Sequence, residues 1–195
     1  MTLSFAVSDS LAARAAAAEP KTTADVVSLT RGIRGAKNDG LEYRLKSAHS
    51  LKRKIATHLR VRGKSVEEIV ARINDAVRYI VSIPDGDYSL GADGMTEGLR
   101  AKGYEQVELA NYWNVDGYKG VNSTWRDPAT GQLFEMQFHS PDSLAAKMQE
   151  HVLYEKRRLP DTSAERSAEL MRKANEIFAR VPIPPGAPDV GLRGP

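Results

Sequence analysis

The segment Phe134-Glu135-Met136-Gln137-Phe138-His139 alternates apolar and polar residues without a break. Successive side chains on a β-strand point to opposite faces, so Phe134, Met136 and Phe138 form one row and Glu135, Gln137 and His139 the other. Such a strand belongs in a sheet with one face on a core, and its second face is free to carry chemistry. Residues 118–126 and 132–139 read as two strands joined by Asp127-Pro128-Ala129-Thr130-Gly131, a hairpin loop with Pro and Gly where turn geometry wants them.

The remaining pattern fills out the same architecture. Residues 76–83 are rich in β-branched side chains and stop at Pro84-Asp85-Gly86, which predicts an interior strand with Asp75 at its mouth. Residues 41–46, after an Asn38-Asp39-Gly40 turn, and residues 104–112 supply the other strand candidates. Helices are predicted over 9–18, from a cap at Thr22-Thr23-Ala24-Asp25, over 49–59, from the capping-box spacing of Ser65-Val66-Glu67-Glu68, and over 88–102, 141–158 and 163–181. The fold class is α+β, a mixed sheet of four or five strands flanked by helices. Residues 1–37 read as a peripheral helical segment, 38–181 as the domain, and 182–195 as a flexible Pro/Gly-rich tail that does not pack.

A chain of 195 residues, 41% hydrophobic and 27% charged, has the length and composition for one domain with a real core. Its formal charge of +3 does not by itself call for nucleic acid. Positive charge gathers instead in Arg44, Lys46, Lys52, Arg53, Lys54, Arg60 and Arg62 and again in Lys156-Arg157-Arg158, which suits a small polyanionic ligand better than a duplex. The absence of cysteine excludes thiol catalysis, disulfides and cysteine-bound metals. No apolar run approaches the roughly 20 residues that span a bilayer, so no membrane association is expected. Ala15 to Ala18 before Glu19-Pro20 look faintly like the end of a leader, interrupted by Ser8, Asp9, Ser10 and Arg14. That start and the lack of cysteine point to secretion or delivery to another cell, with a cytoplasmic protein as the alternative; the oligomeric state is left open.

Two groups of residues carry candidate chemistry. Arg44, Lys46 and Lys54 can neutralise several phosphate charges, and Ser50 and Lys54 lie four apart on one helical face; the competing reading is a solvated basic helix. Asp75 opens an apolar strand, a costly place for a charge without a partner. Arg78 is one such partner. A metal is the other, because Asp75 and Glu135 at neighbouring strand ends give Mg²⁺ the hard oxygen ligands it prefers. Tyr118, after Gly117, offers a flat ring suited either to stacking on a base or to sheet packing.

Taken in order, these motifs resemble the synthetase domain of the RelA/SpoT homologue family, in its small stand-alone members. Arg44-Leu45-Lys46-Ser47-Ala48-His49-Ser50-Leu51-Lys52-Arg53-Lys54 is similar to the family's Arg-x-Lys-x-x-x-Ser-x-x-x-Lys segment, Asp75-Ala76-Val77-Arg78 to its Asp-x-x-Arg strand start, and Gly117-Tyr118-Lys119-Gly120-Val121-Asn122 to its Gly-Tyr-x-Ser-Ile-His loop. Glu135-Met136-Gln137-Phe138-His139-Ser140 resembles Glu-Ile-Gln-Ile-Arg-Thr, and Glu150-His151-x-x-Tyr154 echoes a helix of the small members.

The resemblance implies a nucleotidyltransferase-like synthetase fold. The activity implied is Mg²⁺-dependent transfer of the β,γ-pyrophosphate of ATP to the 3′-hydroxyl of a guanine or adenine nucleotide, with release of AMP. Arg44 would pack on the donor adenine, and Lys46, Ser50 and Lys54 would hold phosphates. Asp75 and Glu135 would bind the metal, with Glu135 accepting the proton, while Tyr118, Asp116, Gln137, Asn122 and His139 would face the acceptor. Asn122 stands where the family has His, His139 where it has Arg, and Asp116 where many members have Asn. The family's second adenine-packing arginine has no obvious equivalent, and synthetase function alone is expected, without hydrolase or regulatory domains. Two alternatives accompany this reading: toxin-like pyrophosphorylation of tRNA 3′ ends, with Lys156-Arg157-Arg158 on the RNA, and a catalytically silent nucleotide- or RNA-binding module.

Overall fold

The computed structural model describes residues 2–59, 65–159 and 161–192; Arg60, Arg62 and the end of the tail lie outside them. One five-stranded sheet has the order β1-β2-β5-β4-β3, with β1 Lys37–Asp39, β2 Arg78–Ser82, β3 Glu105–Asn111, β4 Val121–Arg126 and β5 Leu133–His139. β2 runs parallel to β5 and the other pairs are antiparallel, so the sheet is mixed, as the strand pattern predicts. The α-helices of the described residues are α1 Thr2–Arg31, α2 Ala48–Leu59, α3 Val66–Val70, α4 Tyr88–Ala101, α5 Pro141–Arg157 and α6 Ala164–Phe178.

Register divides the sheet into two unlike faces. Trp125 pairs with Phe134, Ser123 with Met136 and Val121 with Phe138, and Tyr79 and Val81 of β2 stand beside Met136 and Phe138. This face is buried beneath α1 and α4: Tyr104 and Tyr79 meet Phe134 edge-on, and Tyr88 donates to the Phe138 carbonyl while accepting from the Trp113 indole. Burying each of Phe134, Met136 and Phe138 contributes roughly 1.5–3 kcal/mol.

Three local expectations are corrected. Residues 9–31 were expected as two helices, but α1 is continuous through Pro20. Ser8, Leu11, Ala15, Ala18, Thr22 and Val26 recur at helical spacing and all are buried, so packing of one long stripe outweighs the backbone hydrogen bond lost at Pro20. Thr22 and Thr30 do not cap; their hydroxyls donate back to the Ala18 and Val26 carbonyls. Residues 41–46 form a 3-10 turn, Leu41–Tyr43, and a single bridge from Leu45 to Val77 rather than a strand. The Lys46 amide donates to Ala76 O at 3.0 Å, which sets Lys46 beside the mouth of β2. Finally, the proline-rich segment packs: Val181, Ala187 and Val190 are buried, and the Asn111 side-chain amide donates to the carbonyls of Ala187, Pro188 and Val190 at 2.9, 3.2 and 3.1 Å.

Candidate active site

The second face of the sheet is polar. Arg78 of β2 is in register with Glu135 of β5, Glu135 with Thr124 of β4, and Gln137 with Asn122; Ser82 stands beside His139. Paired residues share a face, so Arg78, Glu135, Gln137, His139, Asn122 and Thr124 form one surface. α5 and α6 approach it from above. α5 begins at a Ser140 cap directly after β5, which aims its first two turns back across the strand that precedes it.

At one end of this surface stands Asp75. Lys46 Nζ binds its Oδ2, and Lys54 Nζ, reaching down from α2, binds Oδ1 at 2.6 Å. α2 buries Leu51 and Ile55 and thereby turns Lys54 towards the strand mouth. The Asp75 side chain is 14% exposed. Burial pushes its carboxyl up, but the two ammonium groups outweigh burial and hold it below the usual carboxylate range. Ser50 sits in the first turn of α2, hydrogen-bonded to Ser47. Arg44 is not part of the cluster: its guanidinium binds the buried Glu19 of α1 and the Leu41 carbonyl, so the structure gives it a tethering role between α1 and the 3-10 turn.

At the other end, Tyr118 links the two residues that depart from the family pattern. Its hydroxyl donates to Asn122 Oδ1 at 2.8 Å and meets His139 Nε2 at 2.9 Å, while Ser143 Oγ meets His139 Nδ1 at 2.9 Å. Both ring nitrogens of His139 are thus held by hydroxyls, Nε2 by Tyr118 and Nδ1 by Ser143. His139 is fully buried, and burial together with the Lys147 charge pushes its pKa down to about 3. The imidazole is therefore neutral at physiological pH. Tyr112, His139 and Phe178 all meet the Tyr118 ring edge-on, so here the ring packs instead of presenting an open face for stacking. Gly120 permits this arrangement: its φ is 150°, and a Cβ there would lie 2.9 Å from Phe138 O and 3.1 Å from His139 Cε1. Asp116 is exposed beside a cavity of about 260 Å³ between its loop and Arg172 and Asn175 of α6.

Sequence reading missed two groups on this face. Asn74 donates to Thr124 Oγ1 at 2.6 Å, bridging the mouth of β2 to β4. Lys147 of α5 donates to Gln137 Oε1, and burial and the nearby Arg78 push its pKa down to about 8 against the pull of Glu135. The one signal for Lys147 is that it falls a turn after Ser143, on the helix face that caps the strand.

Among the described residues, no three His, Cys, Asp or Glu side chains group closely enough to hold a metal ion by themselves. Mg²⁺ is commonly held by one or two carboxylates with substrate phosphates completing its shell. Asp75 and Glu135 fit that pattern: the Glu135 amide donates to Val77 O at 2.9 Å, which holds both residues at the same end of neighbouring parallel strands.

No protein-family model matches the chain, and no curated protein matches its sequence. Solved structures do match its fold. The small alarmone synthetase 2 from Bacillus subtilis superposes with a TM-score of 0.54 at 17% identity, over 88% of this chain and 91% of that one. The small alarmone synthetase 1 from Bacillus subtilis gives a TM-score of 0.51 at 18% identity, over 75% of this chain and 74% of that one, as does a structure of it bound to its product pppGpp. The chain thus has the fold of the small alarmone synthetases, which agrees with the RelA/SpoT resemblance of its motifs. The expectation of secretion or delivery to another cell is corrected: the alanine-rich start that suggested a leader is part of α1, with Ala15 and Ala18 packed in the core. None of the described helices is long and apolar enough to cross a membrane.

Proposed function

We propose that the polar sheet face binds ATP and a purine nucleotide and transfers the β,γ-pyrophosphate of ATP to the nucleotide 3′-hydroxyl. The observation that carries this reading is the convergence of Lys46 and Lys54 on Asp75 just before β2, whose first residue, Arg78, is in register with Glu135. The cluster has the charge to receive a polyphosphate: two ammonium groups on one carboxylate leave a positive charge unmatched. Phosphate oxygens arriving there would draw the lysines away from Asp75 and free it for the metal.

In the proposed step the acceptor 3′-oxygen attacks the β-phosphorus of ATP. The bond from that phosphorus to the α,β-bridging oxygen breaks, and AMP leaves with the oxygen. Glu135, which forms no ion pair within 4.0 Å among the described residues, takes the hydroxyl proton. Lys46 and Lys54 hold the transferred phosphates and offset the developing charge, so rate is gained mainly by position and electrostatics. A Mg²⁺ held by Asp75 and Glu135 would supply Lewis-acid polarisation of the transferred group. Asp116 can accept from guanine N1 and N2 or from the adenine amino group, which accommodates either base.

A second reading, nucleotide binding without transfer, is favoured by a specific observation. Both oxygens of Asp75 are taken by lysines, Arg44 is committed to Glu19, and the Tyr118 ring is enclosed. The assay that decides uses purified protein, Mg²⁺ and γ-labelled ATP with AMP, ADP, GMP, GDP, GTP or deacylated tRNA in separate reactions. AMP release with a 3′-pyrophosphorylated nucleotide is the expected result; product on tRNA alone moves the activity to RNA. ATP binding with no AMP from any acceptor establishes the silent module.

A further inference from the structure

Arg78 and Lys147 are two cations on one crowded surface with too little negative charge between them. Arg78 is half-buried, and among the described residues its guanidinium makes no ion pair. Among the described residues, Lys147 binds only the neutral Gln137 amide oxygen. Glu135, the register partner of Arg78, lies two residues from Gln137 on β5. Backbone spacing then sets Arg78 roughly 5 Å across the sheet from Glu135, and the strand position beneath Lys147 roughly 7 Å along it. The remaining polar neighbour, His139, is neutral and adds no counter-charge. The face from Lys54 to Lys147 therefore presents four cations, Lys54, Lys46, Arg78 and Lys147, against three carboxylates among the described residues, Asp75, Glu135 and, at the β1 edge in register with Ile80, Asp39. Enclosing cations in this ratio is unfavourable unless an anion completes the set. Guanidinium and ammonium groups together are the usual partners of phosphate oxygens.

We propose that Arg78 and Lys147 form a second phosphate subsite, on the β5 side of the face, which holds the outer phosphates of a polyphosphate whose nearer end lies on Lys46 and Lys54. This deepens the nucleotide reading above and rests on it. Lys147 is a binding residue delivered by α5, beyond every motif that carried the family resemblance. The subsite extends the row of cations from the mouth of β2 towards the Tyr118 loop, along the direction in which a pyrophosphate group would pass from donor to acceptor.

Titration calorimetry with inorganic pyrophosphate on the full chain tests it, with AMP titrated in parallel as a ligand lacking the polyphosphate. Each lost charge-assisted bond is worth about 1.5–3 kcal/mol, so Lys147→Met and Arg78→Gln should each weaken pyrophosphate at least about tenfold. Both variants should keep wild-type AMP affinity and circular dichroism, and Lys147→Arg should restore most of the binding. If Lys147→Met fails to fold, Arg78→Gln decides alone. Wild-type pyrophosphate affinity in folded variants overturns the subsite and leaves the nucleotide reading standing when AMP still binds. Weakened pyrophosphate in variants of a protein that binds neither AMP nor ATP keeps the subsite and removes the nucleotide reading. A wild-type chain that binds AMP but no pyrophosphate overturns the subsite outright.

Discussion

The two faces of the sheet are made from the same three central strands yet are built on opposite rules. On the apolar face, Tyr79, Val81, Phe134, Met136, Phe138 and Trp125 are fully buried; the Trp125 indole donates to Ser123 Oγ, and the Tyr88 hydroxyl accepts from the Trp113 indole and donates to the Phe138 carbonyl. On the polar face, Glu135 and Arg78 stand side by side without an ion pair among the described residues, and two lysines share Asp75. One face is complete without a ligand, whereas the other is balanced only if an anion joins it. The difference teaches where sequence change is felt as stability and where it is felt as binding.

The contrast is broken most severely from the apolar side. Phe138→Ala should cost about 3–5 kcal/mol in urea denaturation, since its ring is fully buried and its backbone anchors Tyr88; a loss under about 1 kcal/mol would mean the two faces are not energetically distinct. Asp75→Asn acts on the other side. It should reduce AMP formation by at least about a hundredfold, near 2.7 kcal/mol, with the fold retained; normal turnover of this variant with Mg²⁺ present would remove Asp75 from the chemistry.

The neutral histidine separates the faces by pH. Its folded-state pKa of about 3 lies below the unfolded value near 6.5, so the unfolded chain takes the proton first. Stability should therefore fall as pH drops from 6.5 towards 3, with His139 contributing up to about 1.4 kcal/mol per pH unit well below 6.5. Urea midpoints at several pH values should show that His139→Gln flattens this slope relative to wild type; parallel slopes would assign the acid loss to carboxylates such as Asp75. The smallest effect is expected from Tyr118→Phe, about 1 kcal/mol for the hydroxyl shared by Asn122 and His139. Unchanged stability with collapsed acceptor use would instead show that this hydroxyl serves the ligand.

Alternation along residues 134–139 and the hairpin before it made the centre of the sheet legible, because a two-residue period is a local property that burial of one face enforces. The same period identified Glu135, Gln137 and His139 as a polar row. What was not legible depends on distant contacts. Pro20 reads locally as a helix stop, but a buried stripe from Ser8 to Val26 carries α1 through it. The Pro/Gly-rich segment reads as unpacked, yet one side chain, Asn111, collects three of its carbonyls. Arg44 was assigned to the donor by motif alone, while its partner, Glu19, lies on a helix that the motif does not include. Lys147 carries no motif; it enters the site only because Ser140 caps α5 directly after β5.

The central claim, that the polar face is the nucleotide-binding face, is tested most directly by following backbone amide resonances while ATP is added to the isotope-labelled chain. The account predicts shifts concentrated at Lys46, Asp75, Arg78, Glu135, Gln137 and Lys147, with the amides of α4 and the apolar core little changed. Saturable ATP binding whose shifts fall elsewhere, or no binding at millimolar ATP, would contradict it.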